Sequence, residues 1–74
     1  MELGSNVKAY TSSKSLAKEV CFAMALAPLT ADVAATYVKG FGWCIECSCD
    51  NRDATVKRLW TFLGNSKASK VNWV

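Results

Sequence analysis

Apolar and polar positions alternate in some stretches of this chain and recur at helical spacing in others, and the two periods divide it into six elements. Over residues 6–10, Val7 and Ala9 alternate with Lys8 and Tyr10, which predicts a short strand. Thr11, Ser12 and Ser13 then offer hydroxyls to cap a helix whose apolar stripe is Leu16, Val20, Ala23 and Ala27, and Pro28 stops it. Residues 34–50 are rich in Thr, Tyr, Val, Trp, Ile and Cys and are broken by Lys39-Gly40-Phe41-Gly42, which predicts a hairpin with Gly40 at the first centre of its turn. Asp50 or Asp53 caps a second helix with the stripe Val56, Leu59, Trp60 and Leu63, and Gly64-Asn65 is a left-handed stop. Residues 70–74 end as a strand with Val71 and Trp73 on one side and Asn72 on the other.

Strand, helix, strand, strand, helix, strand is the order of a ferredoxin-like α+β layer, with two helices on one face of a four-stranded antiparallel sheet. The expected organisation is a single domain over residues 1–74. With Gly40 and Phe41 centring the turn, Val38 faces Trp43 and Thr36 faces Ile45, so Trp43, Ile45, Cys47 and Cys49 turn toward the core. The opposite, open side then carries Tyr37, Lys39, Cys44, Glu46 and Ser48, joined by Lys8, Tyr10, Lys70 and Asn72 from neighbouring strands. Two Tyr and three Lys on one open face suit the stacking and charge neutralisation of a nucleic-acid strand; an ordinary solvated face is the plainer reading.

Each helix also places a Phe off its stripe. Phe22 and Phe62 lie roughly 120° from the stripe centre at helical periodicity. Either the two rings fill a groove between side-by-side helices, or they form an apolar docking surface, with Leu26 beside Phe22 and Arg58 beside Phe62. A homodimer satisfies the second reading as well as a foreign protein does.

Composition narrows the class without naming the function. The 74 residues are 51% apolar and 20% charged, with four Gly and one Pro, so an ordered core is expected rather than a disordered tail. That core is thin, and three Trp, three Phe and two Tyr exceed what it encloses, so aromatic area reaches the surface. A net charge of +3 is too mild to point at nucleic acid unless the charges cluster. The longest apolar run, residues 20–29, is about half the length a membrane span needs. Cleavage after it as a signal peptide would remove a core helix, so a cytoplasmic protein with four free thiols and no membrane contact is expected.

Chemistry has little to work with. Cys44, Cys47, Cys49 and Cys21 supply enough sulfurs for tetrahedral zinc, but on a strand Cys44 points away from Cys47 and Cys49, and the chain has no His. Cys44-Ile45-Glu46-Cys47 matches a redox dithiol by letter, yet it sits in a strand instead of at a helix N-terminus. Carboxylates fall at helix starts and turns, and Gly40 and Gly42 lack the Lys-Ser/Thr and following helix of a phosphate loop. No metal, no cofactor and no enzymatic activity are expected.

Lys39-Gly40-Phe41-Gly42-Trp43 resembles the start of the aromatic motif on the third strand of RNA-recognition-motif domains, which share the predicted element order. The resemblance implies Phe41 and Trp43 as base-stacking rings and Lys39 as a phosphate contact. It spans five residues, with Cys44 in place of the usual aliphatic and Glu46 where that family keeps a core aromatic. In style, a minimal domain without a catalytic centre resembles small regulators and phage-encoded inhibitors of host assemblies, anti-CRISPR proteins among them. The first expectation is therefore a non-enzymatic module acting through protein contacts at Phe22, Leu26, Arg58 and Phe62. The second is single-stranded RNA or DNA binding through Lys8, Tyr10, Tyr37, Lys39, Phe41 and Lys70.

Overall fold

The computed structural model describes residues 3–74. The chain runs β1 (Ser5–Thr11), α1 (Lys14–Leu26), β2 (Thr30–Val38), β3 (Gly42–Cys49), α2 (Arg52–Leu63), α3 (Asn65–Ala68) and β4 (Asn72–Trp73). Four antiparallel strands form one open sheet in the order β2-β3-β1-β4, an α+β arrangement that fits the ferredoxin-like kind in general. Among the described residues no helix is long and apolar enough to cross a membrane.

Local chemistry explains the helix ends. The Ser13 side chain accepts a hydrogen bond from the Leu16 N–H at 3.2 Å, capping α1 as its position predicts. At the other end Pro28 halts the helix, and the Thr30 hydroxyl lies 2.7 Å from the Met24 carbonyl and 2.8 Å from that of Ala27, joining the last turn to the start of β2. The cap of α2 is Asn51, whose side chain accepts from the Ala54 N–H at 3.0 Å, and neither Asp50 nor Asp53. Asp53 stands in the first turn, where its charge complements the helix dipole, while Asp50 accepts from Arg58 at 3.4 Å. Gly64, at φ +79°, ends α2 with its N–H on the Trp60 carbonyl, but the chain winds one more turn as α3, which periodicity does not foresee.

The core lies between the helices and one sheet face. Val7 and Ala9 of β1 and Ile45, Cys47 and Cys49 of β3 meet Leu16, Val20 and Met24 of α1 and Leu59 and Leu63 of α2, all buried. Trp43, Val56, Trp60 and Trp73 pack against the rim of this cluster, only partly covered.

The hairpin departs from its expected register. Its turn is Val38-Lys39-Gly40-Phe41, closed by the Phe41 N–H on the Val38 carbonyl at 3.0 Å, so Gly40 holds the second centre, at φ +91°. Phe41 is then an extra residue before Gly42, and the pairs are Val38 with Gly42, Tyr37 with Trp43 and Ala35 with Ile45. The pairing of Val38 with Trp43 and Thr36 with Ile45 is thus shifted by one residue on β2, which turns every β2 side chain in this half to the opposite face. Nearer its start β2 carries a bulge between Ala31 and Ala34, with Asp32 at φ +56°. The last strand is also shorter than expected: Lys70 and Val71 belong to the turn after α3, their N–H groups bonded to the Lys67 and Ala68 carbonyls.

Candidate functional site

On the open face the central strands place Lys8 across from Glu46 and Tyr10 across from Cys44. Lys8 Nζ lies 3.9 Å from a Glu46 carboxylate oxygen, so this cation is already answered on the face. The Cys44 side chain across from Tyr10, together with desolvation, raises the tyrosine phenol above the ordinary value of 10.0. Its ring stands 6.2 Å from that of Phe41, which projects from the turn at 72% exposure. Below this pair the face turns acidic, where Asp32 and Glu46 line one shallow depression with Asn6 and Ser48.

The six residues expected to gather for nucleic acid do not share a surface. Tyr37 is on the helix side, its ring edge-on to Trp43 at 5.4 Å, because the turn consumes one residue more than the sequence pattern suggests. Lys70 lines a shallow depression with Ser15, Leu16 and Glu19 of α1, because the chain reaches the helix layer before β4 begins. Lys39 sits in the turn itself. Trp43, which the family resemblance requires on the open face, packs against the core from the helix side.

The helix layer brings three of its four expected residues, Leu26, Arg58 and Phe62, to one cleft. Phe22, Leu26 and Phe62 are 61%, 62% and 55% exposed, so the two Phe rings do not fill a groove between the helices. Leu26 and Phe62 instead flank a cleft of about 190 Å³ with Ala23, Pro28 and Arg58. Phe22, one turn before Leu26, carries the apolar surface along α1 to a second groove. Arg58 is fixed by Asp50 and by the Thr55 hydroxyl at 3.0 Å, so it presents a positioned guanidinium at the cleft wall.

That second groove, about 360 Å³, is a feature the sequence reading missed. It runs between α1 and β2, floored by Ala17, Cys21, Ala25 and Ala35, walled by Trp43 and Phe22, with Lys14 and Lys18 at its lip. The Lys14 ammonium lies 6.0 Å from the Trp43 ring centroid. The signal was present: Ala17, Cys21 and Ala25 recur every fourth residue, a strip of small side chains on one helix face. Small residues there leave β2 uncovered.

All four cysteines are free, with Cys47 and Cys49 buried on the helix side and Cys44 on the open face. Burial, reinforced by neighbouring Cys49, pushes the Cys47 thiol up to about 11, which leaves it protonated and unreactive at neutral pH. Among the described residues no three His, Cys, Asp or Glu side chains converge as metal ligands. Comparison with known protein families, with curated proteins and with solved structures finds no match for this chain.

Proposed function

We propose that this chain is a ferredoxin-like, non-enzymatic binding module that docks a protein partner on its helix layer, in the manner of a small regulator or inhibitor of a larger assembly. The observation that carries this reading is the exposure of Phe22, Leu26 and Phe62, each by more than half, on the helix layer, with a cleft between the last two. Large apolar side chains held by helices, next to a fixed Arg58, are the composition of an interface centre rather than of a solvated surface. The strand order, with β1 and β3 central and both helices on one side, supports the fold name.

The test is capture from host lysate by the immobilised chain, alongside a variant carrying Leu26→Ser and Phe62→Ser. Both side chains are mostly in water, so the variant is expected to keep its fold, with a stability change under about 1 kcal/mol. A protein retained by the native chain after nuclease treatment and lost by the variant supports the reading. Equal retention by both chains, or loss on nuclease treatment alone, overturns it. The nuclease arm also reports on the second reading, nucleic-acid binding at Tyr10 and Phe41, whose paired rings are the observation in its favour.

A further inference from the structure

The sheet has two edges, and they are not alike. β4 is two residues long and offers little to pair with, whereas β2 runs nine residues along the other edge. Edge strands usually carry Lys, Pro or a bulge against unwanted pairing. β2 has such protection only in its first half, where the bulge and Asp32 at positive φ interrupt it. Residues 34–38, Ala-Ala-Thr-Tyr-Val, contain no charge and no Pro, and Ala34, Ala35, Thr36 and Tyr37 are exposed.

We propose that this edge pairs with a second copy of itself, antiparallel about Thr36, joining two four-stranded sheets into one. The segment is self-complementary. Turning β2 about Thr36 sets Ala35 of one copy opposite Tyr37 of the other, and Tyr37 opposite Ala35, on the helix side of both sheets. Ala35 is part of the floor of the 360 Å³ groove, so the partner's Tyr37 ring enters space that Ala35 leaves open beside Trp43. Tyr37 itself is 60% exposed and leans edge-on against its own Trp43.

The backbone phase agrees. The Val38 carbonyl is engaged in the hairpin turn, so the alternation along β2 directs Thr36 toward β3 and the N–H and C=O groups of Ala35 and Tyr37 outward. Ala35 and Tyr37 are the two residues that the proposed register sets against each other. Charge agrees as well: Asp32 lies at one end of the paired segment and Lys39 at the other, so antiparallel pairing brings the Asp32 end of each copy to the Lys39 end of its partner. This surface is separate from the Leu26 and Phe62 cleft, and a self-paired chain keeps that cleft free.

Sedimentation equilibrium over a concentration series up to millimolar tests the idea, starting from a monomer of 8.1 kDa. The native chain is expected to approach twice that mass as concentration rises. Thr36→Lys sets two ammonium groups face to face at the symmetry axis and is expected to raise the dimer dissociation constant by about tenfold or more. Thr61→Lys adds the same charge on an exposed turn of α2 and is expected to leave the dimer intact. A native chain that stays monomeric throughout overturns the proposal. So does a dimer that survives Thr36→Lys while dissociating on Leu26→Ser with Phe62→Ser, since its contact is then the helix layer.

Discussion

At the scale of single residues, two glycines with nearly equal φ do different work. Gly40, at φ +91°, stands in open space, whereas a Cβ at Gly42, φ +93°, would lie 2.7 Å from the Thr11 carbonyl oxygen. Gly40→Ala therefore costs only left-handed strain, about 1 kcal/mol. Gly42→Ala adds a clash with the backbone of the central strand and is expected to cost about 3 kcal/mol or more, read as a loss in the urea midpoint. The sequence marks both glycines as turn residues, and the turn itself was legible. Which of them holds which turn position was not, because that depends on whether Lys39 flanks the turn or is one of its centres, and the counting sets the face of Tyr37.

At the scale of elements, the caps separate residue type from residue position. Three polar residues, Asp50, Asn51 and Asp53, precede or open α2, and any of them has the chemistry to cap it. The side chain that reaches the Ala54 N–H is that of Asn51, so Asn51→Ala is expected to lose about 1 kcal/mol. Asp53→Asn, which removes only a favourable charge near the dipole, is expected to lose about 0.3 kcal/mol. Chemical denaturation of the two variants separates the roles. The two long helices were legible because a period near 3.6 persists over several turns, and the β1 and β3 faces because alternation survives there unbroken. The first part of β2 was not, since the bulge at Asp32 breaks alternation and Pro28 and Leu29 read as loop. β4 is too short to carry a pattern of its own.

At the scale of the whole molecule, thinness governs stability and surface alike. The molecule measures 34 × 25 × 18 Å, and the short dimension is that of one sheet under one helix layer. Such a core cannot enclose eight aromatic rings, and Phe22, Tyr37, Phe41 and Phe62 stay out. It does enclose Cys47, and its thiol gives the fold a pH dependence. The folded state holds this proton until about pH 11, against an ordinary thiol value of 9.0. Below pH 9 both folded and unfolded chains are protonated, and the full stability is present. Between pH 9 and 11 the unfolded chain ionises first, so stability falls as pH rises. Tyr10, also raised, adds a loss of the same sign above pH 10. Urea midpoints measured across this window are expected to fall less steeply for Cys47→Ala than for the native chain.

The sequence by itself determined the order of the four strands and the two long helices, the inward side of β1 and β3, the stripes of those helices, and Phe22, Leu26 and Phe62 as off-stripe positions. Each of these follows from spacing along a single element, which needs no knowledge of neighbours. Tertiary structure alone decided that Tyr37 and Lys70 leave the open face, that Lys8 answers Glu46, and that β2 lies uncovered beside a groove. Those outcomes depend on the register between strands and on how far α1 reaches across the sheet. A shift of one residue in a turn is silent in the apolar pattern of β2, where Ala and Thr suit either face, yet it exchanges the two faces of the strand.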